Sequence, residues 1–199
     1  MEKSPASGCN SKMYEEVNRC VDVMRRGGLI LYPTDTVWGI GCDARSSEAV
    51  RRVFELKRRA DHKALIVLVS DEAMLERTVA DIPDVAWELI DAAVRPLTVV
   101  YDKGVGVAPE LLGPDGSLGV RLCHDPFAAG LCRALRAPVV STSANVSGQP
   151  AAALFPEISQ EIIEGVDYVA DFRRDDRSSS PPSSVIRLGA GGTVRILRP

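Results

Sequence analysis

GGLILYPTDTVWGIGCDA, residues 27–44, carries a helix stop, a buried strand and a hydroxyl-rich turn in immediate succession. Gly27-Gly28 closes a helical spacing of Tyr14, Val17, Val21 and Met24, for which Ser11 is the expected N-cap. Leu29 to Tyr32 is a short unbroken apolar run ended by Pro33, the pattern of a strand covered on both faces. Thr34, Asp35 and Thr36 leave it. Gly39-Ile40-Gly41 lacks the third glycine of a dinucleotide fingerprint and reads as a tight passage from strand to turn.

The same alternation continues along the chain. Ser46 or Ser47 caps a helix with Val50, Val53 and Phe54 on its apolar face, and ALIVLV (64–69) follows as a strand. A helix is predicted over 84–94, strands over 97–101 and 117–122, a helix over 125–135, a strand in PVVSTS (138–143) and a short helix over 157–164. Two short strands, 185–188 and 193–197, flank GAGG as a hairpin. Because that hairpin is antiparallel, the fold class is α/β with a twisted, mixed, open sheet flanked by helices. Residues 1–10 read as a disordered tail. RRDDRSSSPPSS (173–184) reads as a mobile loop, too polar to pack.

Length and composition bound the function. With 199 residues and 45% hydrophobic content, the chain suffices for one domain spanning 1–199. A net charge of -3 gives no bulk attraction for nucleic acid. Five cysteines without a C-x-x-C pair, beside two histidines, indicate reduced cytoplasmic thiols and neither a disulfide frame nor a zinc site. No stretch reaches the length of a membrane span or has the form of a signal peptide.

Three polar clusters could carry chemistry. Between Arg51 and Lys63, six cations (Arg51, Arg52, Lys57, Arg58, Arg59, Lys63) outnumber two acids (Glu55, Asp61). A solvated helix face with i,i+4 pairs explains part of this. The cations run past the helix end towards a strand, however, where open α/β sheets bind ligands. Lys57 and Arg59 could there converge on phosphate oxygens. PTDT and STSAN (141–145) each fit a capped turn serving its own backbone. Two hydroxyl-rich strand exits and a cationic segment in one small chain equally fit the walls of a polar binding cavity. There is no P-loop, no nucleophile elbow and no support for a Ser-His-Asp triad, so any nucleophile would belong to a substrate.

YPTDTVWGIGCDA, KRRADHKALIVLV, GVRL, STSANVSGQP, SSVIRL and ILRP, in this order, resemble the YrdC-type threonylcarbamoyl-AMP synthases in their short, single-domain form. The resemblance implies a concave, positively charged cavity. It also implies synthesis of threonylcarbamoyl-AMP and pyrophosphate from L-threonine, bicarbonate or CO2, and ATP with Mg2+, towards threonylcarbamoyladenosine at position 37 of tRNA. It places Lys57 and Arg59 as catalytic groups on ATP, with Lys63, Ser117, Asn145, Arg195 and Arg198 as further ATP contacts. Thr36, Arg121, Ser143 and Ser183 fall near the threonine. Protein side chains would hold no metal, since Mg2+ enters with ATP. A tRNA threonylcarbamoyl-transferase would receive the product, direct RNA contact would be weak, and no membrane is involved. An RNA-binding module of the same fold, or a paralogue binding nucleotide without threonine chemistry, are the alternatives. A Lys57→Ala or Arg59→Ala change is expected to remove activity and leave the melting temperature nearly unchanged. Ala93-Val94-Arg95-Pro96-Leu97-Thr98 stands where the family carries W-P-G-P-L-T, and the chain ending at Pro199 leaves no room for the C-terminal domain of longer members.

Overall fold

The computed structural model describes residues 6–58, 65–177 and 181–199. Helix α1 (Ala6–Arg25) begins before the expected Ser11 cap, so residues 6–10 are helical and only the first five positions of the predicted tail lie outside the described residues. Gly27 ends α1 in the left-handed region at φ +78°. Its amide donates to Met24 O and that of Gly28 to Val23 O, the paired bonds that close a helix C-terminus on glycine.

Strand β1 (Ile30–Tyr32) then pairs antiparallel with β2 (Gly39–Gly41), so the GIG segment is a sheet strand and not merely a passage into a turn. Glycine weakens an isolated strand, and its presence here has a packing cause. The Tyr32 ring lies across β2, and a Cβ on Gly41 would stand 2.7 Å from Tyr32 Cε1 and 2.8 Å from Val140 O. Neither the fully buried ring nor a ladder carbonyl can retreat cheaply. Gly41→Ala is expected to cost about 2–3 kcal/mol, read as a lowered midpoint in urea unfolding at unchanged slope.

Helix α2 (Ser47–Leu56) is capped by Ser46, whose Oγ accepts from Ala49 N at 3.2 Å, and it buries Ala49, Val50, Val53 and Phe54. Strand β3 (Ile66–Val69) follows, then α3 (Glu72–Glu76), which periodicity does not reveal in five residues. Helix α4 (Asp84–Asp91) stops short of the predicted Val94, which is fully exposed. Strands β4 (Leu97–Tyr101), β5 (Leu118–Leu122) and β6 (Val139–Ser143) and helix α5 (Pro126–Leu135) fall where expected. Helix α6 (Gln160–Gly165) is preceded by a 3-10 turn over Phe155–Glu157. The two-residue strand β7 (Tyr168–Val169) and the hairpin β8 (Ser184–Gly189) with β9 (Thr193–Arg198) complete the chain.

The nine strands run in the order β7-β1-β2-β6-β3-β5-β4-β8-β9. Pairs β1–β7, β3–β5 and β4–β8 are parallel and the remainder antiparallel, as a mixed sheet requires. Helices α1 and α5 pack on each other, with α5 also against β3. Cys20, Cys42, Cys123 and Cys132 are free and buried. Burial pushes the Cys20 and Cys123 thiols up to about 12, which marks them as inert core residues at neutral pH. No helix among the described residues is long and apolar enough to cross a membrane.

Candidate functional site

Residues opposed across a ladder share a face of the sheet, so the strand registers assemble the site. Gly39 of β2 opposes Ser143 of β6, Ser141 opposes Ile66 of β3, and Ile66 opposes Gly119 of β5. Two residues along β5, Arg121 lies level with Thr98 of β4, given the Val99–Val120 pairing. Thr98 opposes Val185 of β8, and Val185 opposes Arg198 of β9. A bulge between Val185 and Ile186 makes this last step possible. Ile196 opposes Ile186 on the other face, and regular alternation would have carried Arg198 there too; the bulge turns it back towards Arg121.

These side chains and the turn after β1 enclose a cavity of about 220 Å³, walled by Thr36, Arg121, Ser141, Ser143, Ser183 and Arg198 among others. Arg121 is only 3% exposed. Its Nη1 stands 3.5 Å from both Thr36 Oγ1 and Asp35 Oδ1, and its Nε has no hydrogen-bond partner among the described residues. Arg198 donates from Nε to Ser183 O at 2.9 Å and from Nη2 to Ser183 Oγ at 3.2 Å, while Thr98 Oγ1 lies 3.0 Å from that same hydroxyl. Burial, and then the charge of Arg121 across the cavity, hold the Arg198 guanidinium below its ordinary value. Two guanidinium groups that repel one another in a half-dry cavity favour an anion between them.

Hydroxyl directions on the opposite wall follow from donor counting. Thr34 Oγ1 donates to Val37 O at 2.8 Å, so at the 3.0 Å contact with Thr36 Oγ1 it must accept. Thr36 therefore donates to Thr34 and presents its lone pairs to Arg121. The PTDT turn does serve its own backbone, as a capped turn would, and it also lines the cavity. Ser141 and Thr142 of the STSAN exit are likewise lining residues.

Thr36, Arg121, Ser143, Ser183 and Arg198, all singled out from the sequence, are thus brought together. Lys57 is not at the cavity wall. It is 1% exposed, and its Nζ donates to Ser143 O at 2.5 Å and Asn145 O at 2.6 Å, while its own carbonyl accepts from Ser147 N. In this arrangement the ammonium group, expected from the sequence to meet phosphates, anchors the STSAN exit through these carbonyls. Asn145 Nδ2 donates to Val146 O and Gln149 O, closing the turn after β6. Ser117 lies in the turn before β5, where its hydroxyl, followed by Arg187, holds the Asp115 carboxyl well below its usual range. Arg195 is exposed on β9 opposite Arg187. Arg59 and Lys63 lie outside the described residues.

Sequence reasoning missed Arg173. Its Nη1 donates to Asp125 Oδ2 at 2.7 Å and its Nη2 to Thr34 O at 2.8 Å. Arg174 donates to Ala170 O and Val169 O and stacks over Phe155, whose ring packs on Trp38. The start of the segment predicted as a mobile loop is therefore tied to the protein, with guanidinium groups supplying the anchorage that apolar side chains would give elsewhere. Ser183, near its other end, is buried; residues 178–180 lie outside the described residues. The paired cations and acids of RRDD were the available signal, and they are indistinguishable from a solvated stretch without the fold.

A cavity this small, on the face of a mixed sheet and with two arginines at its wall, defines an α/β protein with a site suited to a small charged molecule. The chain belongs to the Sua5/YciO/YrdC family, whose model, described as "Telomere recombination", matches residues 22–199. It is 35% identical over 160 residues to the threonylcarbamoyl-AMP synthase of Xanthomonas campestris pv. campestris (strain B100), covering 78% of this chain and 85% of that protein. The threonylcarbamoyl-AMP synthase of Cellvibrio japonicus is 34% identical over 181 residues, covering 90% and 94%. P. abyssi Sua5 complexed with L-threonine superposes with a TM-score of 0.82 at 27% identity over 94% of this chain. That match spans 54% of the Sua5 chain, about half its length.

Proposed function

We infer that the protein is an L-threonylcarbamoyladenylate synthase, a nucleotidyltransferase acting in tRNA modification. The observation that carries this reading is the Arg121–Arg198 pair facing the Thr36 hydroxyl in one small cavity, in a chain whose relatives bear that name. Threonine's carboxylate would lie against Arg121, and its hydroxyl and amine against Thr36, Ser143 and Ser183. The amine adds to CO2, from bicarbonate, to form a carbamate. A carbamate oxygen then attacks the α-phosphorus of ATP, and the bond to the β-phosphate oxygen breaks to release pyrophosphate. The protein need supply no nucleophile; its work is positioning and charge neutralisation. ATP, entering as its Mg2+ complex, would lie outward of the threonine. Arg198 would reach its phosphates, with Arg59, Lys63, Asn145, Ser117 and Arg195 as the outer contacts, and the cavity would carry net positive charge. Lys57 would act indirectly, by holding the STSAN carbonyls. The product would pass to a tRNA threonylcarbamoyl-transferase, with direct RNA contact weak.

The test is pyrophosphate release by the purified protein with ATP, Mg2+, bicarbonate and L-threonine, together with mass detection of the adenylate. Release that depends on both threonine and bicarbonate is expected. ATP turnover indifferent to threonine, from folded protein, would overturn the reading.

A further inference from the structure

The turn after β1 is walled by space on both sides. Thr34, Thr36, Val37 and Trp38 line the 220 Å³ cavity and also line a second one, of about 200 Å³, completed by Asp35, Ala153, Leu154, Arg173 and Asp176. Packing fixes the β2 end of this partition, where buried Trp38 packs on Phe155 and its carbonyl accepts from Ala144 N at 2.9 Å. At the Thr34 end, hydrogen bonds must set the position, and the Thr34–Thr36–Val37 bonds are internal to the turn. They give it shape, while the contacts of Arg121 with Thr36 and Asp35 are long, at 3.5 Å.

The Arg173 fork is the contact that ties down the Thr34 end. One nitrogen holds Thr34 O, and the other holds Asp125, whose Oδ1 accepts from Ala128 N to cap α5. A single guanidinium thus joins the partition to a helix in the core. Arg173 itself adopts φ 55°, a conformation unfavourable to a residue with a side chain, which persists only where surrounding contacts enforce it. Phe172 supplies one such contact by stacking on Phe127 of α5, with ring centroids 4.9 Å apart. Arg173 Nε has no hydrogen-bond partner among the described residues and lies 3.8 Å from Asp176, so the fork's two terminal nitrogens make its short contacts.

We propose that Arg173 is a positioning residue for the amino acid, setting through the Thr34 carbonyl where Thr36 stands relative to Arg121. The proposal rests on the synthase reading in taking threonine as the amino acid. It makes the FRRDD segment a determinant of threonine affinity, although that segment contributes no residue to the first cavity.

Arg173→Lys keeps a cation beside Asp125 but cannot span both partners, and Arg173→Met removes both contacts. In steady-state pyrophosphate release, both are expected to raise KM for threonine, about tenfold for lysine and more for methionine, on the scale of one charge-assisted hydrogen bond. KM for ATP should be unchanged and kcat within about threefold. An unaltered threonine KM in the lysine variant would overturn the proposal, as would an equal rise in KM for ATP or a loss confined to kcat, which general loosening would produce. Should the methionine variant fail to fold, the lysine variant decides. Should the wild-type protein show no threonine-dependent release, the synthase reading fails by itself. The clamp is then read by hydrogen exchange at the Thr36, Val37 and Trp38 amides of the wild type and the lysine variant. Faster exchange in the variant supports it, and equal rates overturn it.

Discussion

Arg121→Ala is expected to lower kcat/KM for threonine by about 1,000-fold, because a buried charge-assisted pair with a substrate carboxylate is worth about 4 kcal/mol. The size of the loss follows from burial. At 3% exposure, Arg121 acts where water does not screen it, and its truncation also removes the cation that stands 3.5 Å from Asp35. Arg121→Lys retains the charge and loses the fork, so an intermediate loss of about 10- to 100-fold is expected. KM for ATP should change little in either variant. Steady-state pyrophosphate assays at varied threonine, with the melting temperature as a folding control, check this. A threonine KM as sensitive to Arg198→Ala as to Arg121→Ala would reverse the roles given to the two arginines.

Lys57→Met is expected to lose stability and activity together. From sequence, Lys57 reads as a phosphate ligand whose removal would spare the fold. In the structure its ammonium group is buried and donates to the carbonyls of Ser143 and Asn145, and each charged hydrogen bond contributes about 1.5–3 kcal/mol. A loss of about 3 kcal/mol in unfolding free energy is therefore expected, seen in urea denaturation. Ser143 and Asn145 would shift with their released carbonyls, so turnover should fall by at least about tenfold even at a temperature where the variant is folded. A variant with unchanged melting temperature and no activity would restore the phosphate role.

The two lysine readings differ for a reason that bears on the whole chain. Lys57 sits in a run of cations, and composition assigns such a run to solvent; only the path of β6 over the end of α2 reveals that it is covered. The long β-branched run of β4 was legible because a local pattern suffices there. Strand β2 was not, since Gly-Ile-Gly is a strand only through pairing with β1 and β6 and through the Tyr32 ring above it. The hydroxyl-rich exits could be recognised as polar walls, but their convergence with Arg121, Ser183 and Arg198 depends on ladder registers linking distant residues. Without the family resemblance, nothing in the spacing of 36, 121, 143, 183 and 198 would have grouped them. Arg173 escaped both routes, because its importance lies in one bond to a backbone oxygen.

The bulge that turns Arg198 inward makes the site a matter of parity. Along β9, odd and even positions belong to different sides of the sheet, and one unpaired residue exchanges their membership just before the strand ends. A single insertion or deletion between Ile196 and Arg198 would therefore conserve every functional side chain in name and still move one of them to the wrong side. In comparing chains of this fold, an aligned arginine is equivalent to Arg198 only if the count of residues to the ladder is also the same.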